Sequence, residues 1–220
     1  MKLKKIASLA LAGVMAVSML AGCSGNGSNG DNNNGDNTVV EPGTSSIVTA
    51  FNNGQDEDNK AKVDFTSSSM LDAALQKAVE NAGDATAPEI IQWLIYGLTG
   101  QGYTGTTTGN TTTYVPNNFN TDAAVNGEKV TMIAVKSYSS NKYWSETAVL
   151  ERAAREVDDV VANFKADTKT SAMKEGSSYF AYTYTGNASM VAATQESGAT
   201  TYYVAYTITR TAAEQKVTKA

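Results

Sequence analysis

Two serines stand three residues before a lysine, Ser139 before Lys142 and Ser171 before Lys174, and adjacent carboxylates occur at Asp158 and Asp159. The first spacing sets an amine one helical turn from a hydroxyl, as a serine nucleophile with a lysine base requires. The second offers acid–base chemistry at a glycosidic bond. Neither constellation is complete. No Lys-Thr-Gly element accompanies the serines, and in a chain this rich in serine and lysine such matches are expected by chance. Asp158 and Asp159 adjoin Arg155 on the expected solvent side of a helix. The chain has no histidine and a single cysteine, Cys23. That removes Ser-His-Asp and Cys-His nucleophile systems and every imidazole-dependent metal site, and it forbids an intrachain disulfide. No catalytic residue, cofactor or metal site is therefore expected.

Binding is better represented. Near the C-terminus Phe180, Tyr182 and Tyr184 share one side of a strand, as do Val204, Tyr206 and Ile208, and these are assigned to a core beneath a helix. The opposite side carries Tyr179, Thr183 and Thr185 on one strand and Tyr203, Thr207 and Thr209 on the other. A flat face of this kind suits a sugar, because the rings stack on C–H faces and the hydroxyls both donate and accept hydrogen bonds. Tyrosine and threonine are also simply good strand formers. Trp144, in Ser-Asn-Lys-Tyr-Trp-Ser-Glu before a long helix, is a further aromatic candidate, whereas Trp93 falls in a strongly apolar helix and is assigned to the core.

The most specific pattern lies at the start. Lys2, Lys4 and Lys5 precede an uncharged apolar run from Ile6 to Leu20, which ends in Leu20-Ala21-Gly22-Cys23. The run is short for a membrane span and of the right length for a signal sequence. The ending resembles the lipobox of bacterial lipoproteins. The resemblance implies cleavage between Gly22 and Cys23, lipid attachment at Cys23 (a diacylglycerol, with palmitate-type chains), and an extracytoplasmic chain anchored to the bacterial cell membrane. It covers residues 1–23 and implies nothing about activity.

With the three leading lysines removed, 14 basic face 22 acidic side chains, a net charge of −8. Only Arg152, Arg155 and Arg210 offer guanidinium groups, so nucleic acid is not an expected partner. The expected partners are the membrane, through lipidated Cys23, and a glycan or protein ligand.

The elements that must position these residues follow from periodicity and turn chemistry. Residues 1–22 read as signal peptide and 23–60 as lipid anchor and flexible tether, rich in Gly, Asn, Ser and Asp with few apolar residues. Residues 61–220 read as a single α+β domain, with 99–121 a flexible Thr/Gly/Asn-rich loop. Helices are expected from Ser69 to Ala82 and from Ala87 to Leu98. Asn126-Gly127 suggests a hairpin, Ser145 caps a helix running to Lys165, and three strands follow, with turns at Gly186-Asn187 and Ser197-Gly198. The expected architecture is two N-terminal helices and then ββαβββ, an antiparallel sheet covered on one face by the long helix. The expected function is a non-enzymatic surface binding module. The alternatives are a carboxylate-dependent envelope or polysaccharide hydrolase, and an envelope accessory or inhibitor protein.

Overall fold

The computed structural model describes residues 44–82, 87–100, 106–122, 124–139, 145–194 and 199–218. Gly22, Cys23 and Trp144 lie outside them. The described residues form an α+β fold with four helices and a mixed six-stranded sheet. In chain order the elements are α1 (Thr44–Asn53), β1 (Val63–Thr66), α2 (Ser69–Ala82), α3 (Ala87–Thr99), β2 (Thr106–Thr108), β3 (Thr111–Tyr114), β4 (Lys129–Ser139), α4 (Glu146–Val161), β5 (Ser178–Thr194) and β6 (Thr200–Lys216). The strand order across the sheet is β1-β5-β6-β4-β3-β2, antiparallel throughout except for β1, which runs parallel to β5.

Both faces of the sheet carry helices, so the layers are helix, sheet, helix rather than a sheet covered on one side. On the first face, α1 and α4 pack over Met132, Ala134, Tyr184, Val204, Tyr206 and Ile208. On the second, α2 and α3 pack over Ile133, Val135, Tyr203 and Ala205. Ser145 caps α4 by accepting a hydrogen bond from the Ala148 amide at 3.2 Å, and Val149, Ala153, Val157 and Val161 form the buried stripe that the 3.6-residue period requires. The helix stops at Val161, four residues short of the sequence expectation.

Three further expectations are corrected. Residues 44–60 belong to the fold and not to a tether: Ile47 and Phe51, one helical turn apart, are fully buried against the first face. The Phe51 ring meets Phe65 at 5.1 Å and Tyr206 at 5.8 Å, both edge-on. Within 99–121, the threonine runs around Gly109-Asn110 pair as the β2–β3 hairpin, with Gly109 at φ 61°. The Gly186-Asn187 turn does not exist, because β5 passes through it unbroken. A Cβ on Gly186 would lie 2.5 Å from the Phe65 ring, so glycine there lets the edge strand β1 seat its aromatic on the sheet. Asn187 ties the same junction, its Nδ2 donating to Thr66 Oγ1 at 3.0 Å. Asn126-Gly127 does turn the chain, Val125 O accepting from the Glu128 amide, and β4 follows it, but among the described residues no strand precedes it directly.

If α1 is a core element, truncating its central aromatic should be costly. Phe51→Ala is expected to lower unfolding free energy in urea by about 3–5 kcal/mol. A loss of less than about 1 kcal/mol would mean that α1 lies loosely on the domain.

Candidate binding surface

The alternation along β5 and β6 assigns side chains to faces, and the helices then decide which of them reach solvent. Tyr203 is 4% exposed, buried under α2 and α3 with Ala205. It cannot touch a ligand, which corrects its assignment as a contact residue. Tyr179, Thr183 and Thr207 share its face but not its cover: Thr183 is exposed, and Tyr179 and Thr207 are half-buried. The Tyr179 ring has the Lys169 ammonium 5.7 Å from its centroid.

Pairing register turns these positions into a grid. Thr131 on β4 faces Thr209 on β6, which faces Thr185 on β5. In the next row Lys129 faces Thr211, which faces Thr183; in the row on the other side Ile133 faces Thr207, which faces Asn187. Directly opposed side chains stand about 4.5–5.5 Å apart, and successive rows about 6.8 Å apart. The hydroxyls of Thr131 and Thr209 bond to each other at 2.8 Å. Threonine is stiff at χ1, so the grid presents methyl and hydroxyl groups in fixed places. What the alternation could not reveal is that α2 and α3 cover only the Tyr203 end of this face.

Sequence reasoning missed three features. The first is an aromatic surface: Trp93, assigned to the core, is 47% exposed on α3, with Tyr96 at 58% one turn further and Met70 at 66% at the start of α2. The signal was present, since a helix apolar nearly all round must turn something outward when only one side meets a sheet. The second is Arg210, 2% exposed at the floor of a pocket of about 190 Å³ that also has Phe119, Phe164, Tyr182 and Tyr184 in its walls. Its Nη1 and Nη2 donate to Thr121 O and Asn118 O, each at 3.0 Å, and its guanidinium carbon lies 4.4 Å from the Tyr182 ring centroid. Tyr184 Oη donates to Lys165 O at 2.9 Å. These donors hold the 118–121 loop and the segment after α4 in place. Arg210 Nε is buried without a partner.

The third is a carboxylate hub. Glu156 on α4 accepts from Tyr138 Oη at 2.7 Å and from Arg152 Nε at 2.8 Å, and it pairs with Lys136. Burial alone raises this carboxyl, but the hydrogen bonds from Lys136, Tyr138 and Arg152 outweigh it and hold the group below the usual glutamate range. Burial, reinforced by donation to Glu156, pushes the Tyr138 phenol far above its usual value.

The groups singled out for hydrolytic chemistry are dispersed. Asp158 is not a free solvated acid: its Oδ1 accepts from the Asp56 amide at 2.8 Å and from Asn59 Nδ2 at 2.6 Å, pinning the turn after α1 to α4. Burial raises the Glu146 carboxyl, but at twelve residues from Asp158 it lies about 18 Å away along the helix, well beyond the separation of a glycosidase pair. Ser171 and Lys174 lie exposed in the turns before β5, and Lys142 lies outside the described residues. Among the described residues no group of three or more His, Cys, Asp or Glu side chains is placed to hold a metal ion, and no helix is long and apolar enough to cross a membrane.

No family model matches the chain, and neither a curated protein nor a solved structure matches it.

Because the Glu156 pKa is lower folded than unfolded, its contribution is fully present above the ordinary glutamate value of about 4.3 and disappears as pH falls through the folded value. Urea unfolding of the wild type and Glu156→Gln should show an advantage for the wild type at neutral pH that shrinks below about pH 4. A difference constant with pH would remove the carboxylate from its place as hub.

Proposed function

We propose that this chain is a lipid-anchored, extracytoplasmic binding module that takes a glycan on the open threonine face. The observation that carries the reading is the register of that face: threonines in adjacent rows across β4, β6 and β5, with Thr183 and Thr185 exposed and Tyr179 at one end. Hydroxyls fixed on a paired sheet lose little freedom when they bind, so each hydrogen bond to a sugar retains more of its value than one made by a mobile loop. The methyl groups between them, and the Tyr179 ring, offer apolar contact to the C–H faces of a pyranose. The anchor rests on Lys2, Lys4, Lys5, the apolar run and Leu20-Ala21-Gly22-Cys23, and two acyl chains on one residue are enough for stable attachment.

Two experiments test the parts separately. Cys23→Ala should move the protein from the membrane fraction to the soluble fraction, and unchanged fractionation ends the anchored reading. Replacing Thr183, Thr185 and Thr209 together with valine keeps shape and strand propensity while removing three hydroxyls. On an array of neutral oligosaccharides the wild type should be retained, and the triple variant should bind at least about tenfold more weakly, the effect of one lost net hydrogen bond or more. Equal retention of the two proteins, or no retention of the wild type, rejects the threonine face as a glycan site.

A further inference from the structure

The chain has three arginines. Arg152 and Arg155 are exposed on α4, whereas Arg210 is buried with 2% of its surface accessible. A guanidinium carries five N–H donors, and the protein meets few of those of Arg210. The Thr121 and Asn118 carbonyls accept one each from Nη1 and Nη2, and Nε is buried with no partner among the described residues. The Glu128 carboxylate stands 3.9 Å from Nη2, beyond hydrogen-bond reach. Its oxygens accept instead from Asn118 Nδ2 at 2.8 Å and from the Val125 amide at 3.4 Å. The Tyr182 ring meets the cation through its π system, which offers no lone pair to an N–H. A buried charge with donors left over is costly to desolvate unless an acceptor reaches them.

The pocket above Arg210 has the size and the walls for an organic acceptor. Its volume is about 190 Å³, and about 150 Å³ is enough for one benzene ring. Phe119, Phe164, Tyr182 and Tyr184 are buried in its walls. The Phe164 and Tyr184 rings stack with centroids 4.7 Å apart and planes at 15°, which fixes their orientation. Asn120, Asn163 and Lys165 are exposed at its rim. The Lys165 ammonium bonds to Asp122 Oδ1 at 2.7 Å and has two further N–H groups. Burial raises the Tyr182 phenol and pushes that of Tyr184 up to about 12, so at neutral pH neither adds negative charge beside Arg210.

We propose that the Arg210 pocket binds a small monoanionic carboxylate carried on a single six-membered ring. The site lies on the first face of the sheet, opposite the threonine grid, and does not rest on the glycan reading. A carboxylate is planar and presents two oxygens to the edge of a guanidinium, the geometry of bidentate recognition. Arg210 and Lys165 are matched in number by Glu128 and Asp122. A monoanion therefore enters a balanced site, whereas a phosphate dianion meets two carboxylates with no surplus cation to offset them. The aromatic walls take the ring through apolar and edge contacts, and the amides and ammonium at the rim suit hydroxyls upon it. The bonds from Arg210 to the 118–121 loop form the pocket in advance, so little freedom is lost when it fills.

The test uses the chain from Cys23 to Ala220, which contains every described residue, with nitrogen-15 in its arginines. With Arg152 and Arg155 exposed, the Nε–H resonance most protected from exchange belongs to Arg210, and its loss in Arg210→Lys confirms the assignment. Glucuronate and benzoate are the probes, each compared with sodium chloride and inorganic phosphate at equal ionic strength. A carboxylate should move the Arg210 resonance to saturation while those of Arg152 and Arg155 stay in place, and chloride and phosphate should not. A response to glucuronate alone assigns the ligand to the sugar acids, and one to benzoate alone assigns it to the aromatic acids. In calorimetry Arg210→Lys, which keeps the charge and loses the fork, should bind the responding carboxylate at least about tenfold more weakly. That variant also loosens the 118–121 loop, so a second one leaves Arg210 in place. Asn120→Trp, at an exposed rim position, fills the mouth and should abolish the response with circular dichroism in the far ultraviolet unchanged. An Arg210 resonance that neither carboxylate moves overturns the proposal and leaves the pocket to ordered water. A phosphate response equal to that of the carboxylates, or saturation that survives Asn120→Trp, overturns it as well.

Discussion

β5 and β6 pair antiparallel over all seventeen residues of each strand, and the rest of the structure is arranged around the length of that ribbon. At about 3.4 Å per residue it runs close to 58 Å before twist shortens it. The helices available to cover it are much shorter: α2 has 14 residues, α3 has 13, and α4 has 16, or about 20–24 Å each. No pair of these can bury a whole face. On the first face the shortfall is met by α1 beside α4, and at the far end by the 115–122 segment, where Phe119 and the Arg210 clamp close the core. On the second face nothing among the described residues extends α2 and α3. The composition follows the cover, with Val191, Ala193, Tyr203 and Ala205 beneath the helices and Thr183, Thr185, Thr209 and Thr211 beyond them.

That division explains which parts of the molecule were legible in the sequence. A period of two reports which residues share a face, so Tyr182 and Tyr184 against Thr183 and Thr185 could be read directly. It carries no information about which stretch of a face a distant helix will cover, and so Tyr203 and Thr207, four residues apart on one side of β6, could not be distinguished. Gly186-Asn187 was misread because glycine before asparagine marks a turn in isolation. Here the glycine makes room for Phe65, a partner more than a hundred residues earlier in the chain. The i,i+4 pair Ile47 and Phe51 was visible in principle, but a low-complexity stretch before it and the acidic residues after it masked a helix of only ten residues. Trp93 was lost to a rule of thumb about apolar helices, one that breaks down when a helix has only one covered side.

The polar side chains of the first face illustrate how a helix–sheet domain with no intrachain disulfide fixes its loops. Glu156 joins α4 to β4 through Tyr138 and Lys136. Asp158 joins α4 to the turn after α1, and Arg210 joins β6 to the 118–121 loop. Each group spans elements far apart in sequence, and the two carboxylates accept from more than one donor, as a partly buried charge must if it is not to lose more in desolvation than it gains. Groups committed in this way are poorly placed to act on a substrate. The pocket over Arg210, with its lysine and two tyrosines, is also the place where a loop is fastened.

The two surfaces left over share a side of the sheet. The threonine grid lies one helix layer, about 10 Å, below the outer surface of α2 and α3. An extended ligand on the grid would therefore be bounded on one flank by the helix pair that carries Trp93, Tyr96 and Met70. The chemistry of the two differs in a way that suits different partners. Threonine in place of valine on an open sheet face keeps strand propensity while withholding the contiguous apolar surface that would drive edge pairing or aggregation. No such economy is applied on the helices, where aspartate, glutamate or lysine could replace Trp93 or Tyr96 at no cost to helix formation.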